Sequence, residues 1–255
     1  MLRDLILTLY SLAYDRLARP LIFRDSAQDA HARAMNLLRK LDDQPQLLSA
    51  LRLIHKLTFP AQPIQVGGVD LPHPLILAAG FIKGEGFSNE QEACAAADSR
   101  DIIPGWRAMP ALVGAAEFGS FTRAPRMGNS GTVLWRDPAS LSTQNRVGLK
   151  NPGALAAATF MARQREHLPA IYGINLAVSP GVSDQDQELA ELKEMARTFT
   201  ADRLRPSWYT LNLSCPNTRD DPTAHQTEQK ARLLCGELPG GYAGCAAVGE
   251  IESQS

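Results

Sequence analysis

The sequence predicts an α/β protein in which a parallel sheet is covered by helices and preceded by an all-helical segment. From residue 64 onward, short apolar runs alternate with stretches of helical periodicity, the order expected of βα units. These apolar runs are continuous, which is typical of strands buried on both faces. With 255 residues, 44% of them hydrophobic and 21% charged, the chain has the composition of a globular core.

Charge and cysteine content exclude several functional classes. The chain has 26 basic and 27 acidic side chains, so it shows no electrostatic signature of nucleic-acid binding. Its four cysteines are far apart and include no CxxC pair. We therefore expect neither a disulfide framework nor a zinc finger, and no metal site, and the chain fits a reducing compartment.

The first sixty residues are predicted to form three amphipathic helices. The first ends at or just before Pro20, the second is capped by Asp25 or Ser26 and stops near residue 42, and the third covers about 46–57. We expect the first two to pack as an antiparallel hairpin with partly exposed apolar faces.

The longest uncharged run of this segment, at 5–14, is too short to span a bilayer and is followed by no signal-peptide cleavage pattern. The segment contains nine basic and six acidic residues and is therefore positively charged. Two interpretations remain open: a platform lying on a membrane surface, or a helical extension (residues 1–60) packed on the main domain.

Four βα units are predicted in the body, residues 61–235. A Gly67-Gly68 hairpin precedes them. The expected strands and helices lie at 75–79, 85–97, 111–121, 151–168, 172–178, 185–200, 207–214 and 225–235, in alternating order. The 151–168 helix is expected to use Asn151 as its cap and Pro152 as its first helical residue. Neither GxGxxG nor GxxxxGK[ST] follows a strand, which argues against a dinucleotide-binding or nucleotide triphosphatase fold.

Glycines and polar residues follow the predicted strands, where α/β folds bind ligands. The clearest group is LNLSCPNT at 211–218, in which two asparagines flank Cys215. The thiol has the reference pKa nearest to neutrality in that segment and so could act as a general base; equally, Cys215 could be a small buried hydrophobic residue. The residues alone predict a small-molecule site and leave its reaction open.

Several motifs occur together in the order found in dihydroorotate dehydrogenases, and the chain resembles the membrane-associated, quinone-reducing class of that family. The resemblance covers about residues 1–235 and rests on the helical text at 25–31 and on LAAGFIKGEG, EFGSFT, PRMGN, QNRVGLKNPG, GINLAVS and NLSCPNT. It implies a (β/α)₈ barrel that holds FMN at the carboxyl ends of its strands. It also implies oxidation of dihydroorotate to orotate in the de novo synthesis of UMP, a quinone as electron acceptor, and a peripheral position on the cytoplasmic side of a membrane.

The resemblance also implies a role for each motif residue. Cys215 would be the general base that removes the C5 proton of dihydroorotate. The positions that would contact FMN are Ala79, Gly80, Lys83, Ser120, Asn175 and Asn212. The positions that would contact the substrate are Lys83, Asn145, Arg146, Val147, Gly148, Leu149, Asn212 and Asn217.

Two features depart from the quinone-reducing pattern. That class usually has serine at the base position, whereas Cys215 is typical of the soluble class, so the acceptor stays open. The body is also shorter than the roughly 250 residues of a complete barrel, and the tail at 236–255 carries no family motif. We therefore expect only about the first four βα units of the barrel.

This expectation suggests two alternative functions. The first is a non-catalytic half-barrel that lacks the phosphate-binding half and does not turn over dihydroorotate. The second, of a different class, is a membrane-surface interaction module built on the N-terminal helices.

Overall fold

The computed structural model describes residues 2–182, 184–201, 204–213 and 228–236. Its N-terminal part is helical and is followed by a short antiparallel hairpin at the expected double glycine. The elements of this part are α1 (Leu2–Ala13), a π-helical turn (Tyr14–Ala18), α2 (Arg19–Ile22), α3 (Ala27–Asp42), α4 (Pro45–Thr58), β1 (Ile64–Val66) and β2 (Val69–Leu71).

The body contains a four-stranded parallel sheet with the strand order β3-β4-β7-β8. Neighbours in the sheet follow one another along the chain with helices between them, the arrangement of successive βα units. The elements of the body are β3 (Leu77–Ile82), α5 (Glu90–Ser99), α6 (Ala108–Val113), β4 (Ala116–Phe121), β5 (Leu134–Asp137), β6 (Ser142–Asn145), α7 (Ala154–Arg163), a 3₁₀ turn (Arg165–His167), β7 (Tyr172–Ala177), α8 (Gln185–Ala201), β8 (Trp208–Asn212) and α9 (Glu228–Gly236). The predicted α/β class with a parallel sheet and N-terminal helices is confirmed.

The core lies between the sheet and helices α5, α7 and α8. Every residue of β7 is buried, whereas β3, at the edge of the described sheet, alternates between half-buried and exposed positions before the buried Ile82. Four alanines of α7 are buried, and these small side chains let α7 pack closely against α5. Edge-to-face packing of Trp106 on Phe160, with ring centroids 5.5 Å apart, fills the space at the end of this helix pair.

Two details of the N-terminal part differ from expectation. The helical path continues past Pro20 to residue 22, because the proline lies in the first turn of α2, where its missing N–H costs little. The expected hairpin of the first two helices is wrong: α1 packs on α4, while α3 packs on α4 and α6. The Ser26 cap is confirmed, since its hydroxyl accepts a hydrogen bond from the backbone N–H of Asp29 at 3.1 Å.

Several boundaries in the body also differ. The strand expected at 75–79 lies at 77–82, so Gly80 lies within β3 rather than after it. The helix expected at 85–97 begins at Glu90, behind an Asn89 cap. Part of the expected 111–121 strand is the helix α6, which ends at Gly114 with a φ of +87°. The β5–β6 hairpin was not predicted.

The C-terminal residue of α3, Asp42, joins the helical extension to the body. Its side chain is buried, and its two carboxylate oxygens accept hydrogen bonds from the backbone N–H groups of Gly105, Arg107 and Ala108 at 2.7–3.0 Å. These N–H groups lie at the start of α6, whose own N-cap residue makes no side-chain cap. Asp42 therefore caps α6 from another part of the chain. Burial raises the pKa of this carboxyl to about 6, and the three hydrogen bonds oppose only part of that rise.

Large apolar side chains remain exposed along the first two helices. Leu5, Leu9 and Leu17 are 54%, 55% and 67% exposed, respectively, so an apolar face is open to its surroundings, as expected. Within the described residues, no helix combines the length and the apolar character needed to cross a bilayer.

We expect the native chain to gain stability relative to Asp42→Asn when the pH falls from 7 to 5. The folded-state pKa of about 6 exceeds the ordinary value of 3.8. Between these values the folded state binds a proton that the unfolded state does not. The stability contributed by this group is therefore highest below pH 3.8 and falls as the pH rises through 6, by about 1 kcal/mol between pH 5 and 7. Urea unfolding at both pH values measures the difference.

Asp43→Asn is the matched control, because it changes the exposed neighbouring carboxylate and should keep the pH response of the native chain. If the stability difference between the native chain and Asp42→Asn did not change with pH, the raised pKa of Asp42 would be contradicted.

Candidate functional site

Polar side chains of three adjacent strands meet at the carboxyl end of the sheet. Ser120 lies near the end of β4 and Asn212 at the end of β8, and the Asn212 Nδ2 donates to the Ser120 Oγ at 3.1 Å across the intervening strand. Asn175 lies between them on β7 and is buried. The structure therefore brings together three of the residues expected at the site.

Glu117 orients this group, and the sequence analysis missed it. Its Oε1 accepts hydrogen bonds from the Trp208 Nε1 at 2.8 Å and from the Thr210 hydroxyl. Its Oε2 accepts from the Asn175 Nδ2 at 3.4 Å. The Oδ1 of Asn175 thus points away from Glu117, is buried, and has no hydrogen-bond partner among the described residues. The signal that could have identified Glu117 is a lone carboxylate within the apolar segment GAAEFGSF.

Hydrogen bonds from the Asn151 side chain anchor the 144–153 loop to Thr122, the residue that follows β4. Its Oδ1 accepts from the backbone N–H groups of Thr122 and Gly153, and its Nδ2 donates to the Thr122 hydroxyl at 2.9 Å and to the Leu149 carbonyl at 2.7 Å. The expectation that Asn151 caps a helix beginning at Pro152 is therefore wrong. Gly153 has a φ of +82°, so α7 begins only at the following residue.

The expected substrate loop, 145–149, continues from the last residue of β6. The Arg146 guanidinium donates to the carbonyls of Thr132 and Ser130 at 3.0 and 3.2 Å, so it holds the loop that leads into the β5–β6 hairpin. The Val147 carbonyl accepts from the Asn129 N–H at 3.0 Å. Gly148 is buried against the Asn129 side chain, and Leu149 has a φ of +53°.

A cavity of about 720 Å³ lies between α3, the end of β3 and the β5–β6 hairpin. Among the expected site residues, Gly80, Lys83, Asn145 and Val147 line it, whereas Ala79, Ser120, Arg146, Gly148, Leu149, Asn175 and Asn212 do not. Cys215 and Asn217 lie outside the described residues. Helix α3 supplies a full wall of the cavity, a role that the sequence analysis did not predict; the wall residues are Gln28, His31, Ala32, Met35, Asn36 and Arg39.

Three contacts hold α3 over the cavity. At its start, the Gln28 side chain accepts from the Val133 N–H at 2.8 Å, which ties the helix to the β5–β6 hairpin. Further along, Arg39 forms an ion pair with Glu85. Both terminal nitrogens of Arg100 also donate hydrogen bonds to the Glu85 carboxylate. At its end, Asp42 caps α6. The cavity is thus closed on one side by a helix fixed along its whole length.

Among the described residues, the cavity is lined by more cationic side chains (Arg39, Lys83 and Lys150) than anionic ones (Glu85). Lys83 and Lys150 both line it, as does His31 from α3. Burial and, after it, the positive charges of Lys83 and Lys150 lower the pKa of His31. The lowered pKa favours the neutral imidazole, so the positive charge of the lining comes from Lys83, Lys150 and Arg39. The described residues contain no cluster of histidine, cysteine or carboxylate groups able to hold a metal ion.

Comparison with known proteins identifies relatives for most of the chain. The family model described as "Dihydroorotate dehydrogenase" matches residues 63–239. Curated proteins named "Dihydroorotate dehydrogenase (quinone)" include one from Gloeobacter violaceus, 30% identical over 86% of this chain and 54% of its own length. Another, from Mycolicibacterium paratuberculosis, is 32% identical over 79% of this chain and 48% of its own length.

The similarity extends to the fold. A crystal structure described as DHODH in complex with ferulenol, from Eimeria tenella, matches with a TM-score of 0.55 at 19% identity, covering 83% of this chain and 50% of that one. The chain spans about half the length of the curated relatives it matches.

We expect Lys83→Gln to raise the pKa of His31. The substitution removes a positive charge that disfavours the imidazolium, while the size of the side chain changes little. An NMR titration of the His31 ring protons measures the pKa without any dependence on activity. Lys40→Gln, which removes an exposed charge on α3 outside the cavity lining, should leave that pKa in place. Equal His31 pKa values in the native chain and in Lys83→Gln would show that the ammonium group does not act on the imidazole.

Proposed function

The chain belongs to the dihydroorotate dehydrogenase family, and from this premise we propose that it oxidises dihydroorotate to orotate, a step of pyrimidine synthesis, with FMN as cofactor and a quinone as electron acceptor. The observation that carries the proposal is the meeting of Ser120, Asn175 and Asn212 at the carboxyl ends of three strands, beside a cavity lined by Lys83. The names of the curated relatives support the choice of substrate and acceptor.

The residues present fit the ring of FMN. The buried Oδ1 of Asn175 is an acceptor for which the described residues supply no donor, and a flavin ring N–H is a group that could supply one. Gly80 lines the cavity with a φ of +105°, and a Cβ built there meets nothing within 4 Å. The backbone of β3 can therefore face a flat ligand directly. The residues proposed to hold FMN are Ala79, Gly80, Lys83, Ser120, Asn175 and Asn212. When bound, FMN supplies an acceptor for hydride.

Lys83 and Asn145, which line the cavity, suit the substrate. Dihydroorotate carries a carboxylate on a ring of amide groups, and Lys83 offers the matching charge at the cavity wall. Asn145, Val147, Gly148 and Leu149, with Asn212 and Asn217, would bind the ring edges through amide donors and acceptors. Since the Arg146 guanidinium donates to the backbone carbonyls of Ser130 and Thr132, we assign Arg146 to shaping the loop that leads into the β5–β6 hairpin.

Cys215 is the proposed general base. It follows the last residue of β8 by three positions in the sequence and belongs to NLSCPNT, one of the motifs on which the family resemblance rests. The thiolate would take the proton from C5 of dihydroorotate as hydride leaves C6, which creates the C5–C6 double bond of orotate. A cysteine needs less activation than a serine for this role near neutral pH.

The experiment that tests the function is purification of the 255-residue chain with FMN, followed by dye or quinone reduction driven by dihydroorotate. Bound yellow flavin and turnover that falls about 10²–10⁴-fold in Cys215→Ala, with flavin retained, would support the proposal. Cys94→Ala is the matched control, because Cys94 lies on α5, outside the cavity lining. Colourless protein with background reduction would favour the alternative, a non-catalytic half-barrel of this family.

We also propose that the exposed apolar face of α1 and α2 lies on a membrane surface, near the source of a quinone. Leu5, Leu9, Leu17 and Leu21 are more than half exposed, and arginines lie among them along the same helices. The chain should float with vesicles containing anionic lipid, and Leu5→Gln/Leu9→Gln should abolish flotation. Leu141→Gln, at an exposed leucine of the β5–β6 turn, is the control. Flotation that is equal in all three proteins would refute the membrane assignment.

A further inference from the structure

A second cavity, of about 260 Å³, lies at the opposite end of the sheet from the candidate site. Its walls include Gly114 and Ala115, which lead into β4, and Ile171, which leads into β7. Because these residues precede their strands, the cavity opens at the amino ends of the sheet. It is therefore separate from the cavity beneath α3, and the proposed oxidation of dihydroorotate makes no use of it.

Positive charge dominates the lining of this second cavity. Arg52 and Lys56 lie one turn apart on α4, Arg107 precedes α6, and His55 and His167 complete the ring of basic side chains. No carboxylate of the described residues lines it. In a chain whose net charge is only −1, this grouping is a local concentration of donors that can pair with an anion.

Arg107 is held in place by two contacts, and its Nε–H has no acceptor among the described residues. Its Nη1 donates to the carbonyl of Asp42 at 3.1 Å, and its guanidinium lies 5.5 Å from the centre of the Trp106 ring. Its Nε is buried and donates to no acceptor in the described part of the chain. The carboxylate oxygens of Asp42 accept hydrogen bonds from three backbone N–H groups, and none is formed with the Arg107 Nε. The Nε of Arg107 thus lacks the acceptor that a buried polar atom normally has.

A buried histidine adds a second donor of the same kind. The Nδ1 of His73 accepts from the Leu75 N–H at 3.3 Å, so in the neutral ring the proton resides on Nε2. That Nε2 is buried with no hydrogen-bond partner in the described part of the chain, and it lies 2.7 Å from the point where a Cβ of Gly114 would stand. The His73 ring also contacts His55 of the lining, with centroids 5.4 Å apart. Among the described residues, two buried N–H donors without a partner thus occur here: one on Arg107 of the cavity lining, and one on His73, which lies against the lining residues Gly114 and His55.

We propose that this amino-end cavity binds a small soluble anion of the phosphate class, either inorganic or as the phosphate group of a metabolite. A guanidinium offers paired N–H groups that match phosphate oxygens, and an ammonium adds a point charge. The cavity supplies both, with imidazole donors around them. Arg107 is pre-positioned by Asp42 and Trp106, whereas Arg52 and Lys56 are exposed on α4 and can close over the ligand.

Isothermal titration of the full chain with inorganic pyrophosphate, at constant ionic strength, tests the proposal. We expect saturable binding that weakens about 10- to 100-fold in Arg52→Gln/Lys56→Gln, the loss that follows from removing a charge-assisted hydrogen bond. The matched control, Lys40→Gln/Arg197→Gln, removes two exposed positive charges elsewhere and should bind within about twofold of the native chain.

Several outcomes would overturn the proposal. The first is the absence of saturable binding to the native chain in ³¹P NMR or calorimetry, a result that is decisive whether or not the variants fold. The second is an equal loss in the control, which would indicate non-specific attraction. The third is binding to vesicles of anionic phospholipid without binding to soluble pyrophosphate, which would identify a lipid headgroup as the ligand.

Discussion

The buried carboxylate of Asp42 is the contact that makes the N-terminal helices part of the domain. A short helix such as α6 begins with N–H groups that lack partners, and here the acceptor comes from 63 to 66 residues earlier in the chain. Breaking this contact would leave buried donors unsatisfied, at a cost of about 1–3 kcal/mol for each. Because Asp42 ends α3, its position fixes that helix, and the helix in turn closes the cavity at the carboxyl end of the sheet.

Polar side chains in the interior of the sheet lie where they form hydrogen bonds with one another. Glu117 is acceptable in a buried strand because Trp208, Thr210 and Asn175 all donate to it. The network has a directional consequence, since it uses the amide nitrogen of Asn175 and leaves the amide oxygen available. The same reasoning applies to Asn151, whose carboxamide is fully used and therefore acts as a structural fastener rather than as a ligand-binding group.

Local sequence predicted the elements that depend on local chemistry. The four parallel strands, the Ser26 cap and the double-glycine hairpin follow from apolar runs and turn residues. The family resemblance named Ser120, Asn175 and Asn212 as site residues, and the structure has them on three adjacent strands. The sequence analysis missed α6, whose N-terminal cap is Asp42, distant in the chain, and the β5–β6 hairpin, which carries no strong apolar pattern. The α3 wall of the cavity could not be predicted from periodicity, since it depends on long-range contacts through Gln28, Arg39 and Asp42.

The last turn of α3 contributes to both cavities, which lie at opposite ends of the sheet. Arg39 lines the cavity at the carboxyl end, and Asp42, three residues later, holds the arginine that lines the cavity at the amino end. A tilt of this single turn therefore moves a wall of each cavity at once. Ligands in the two cavities would then be thermodynamically linked through one helical turn. If one ligand changes the affinity of the other by some factor, the second changes the affinity of the first by the same factor.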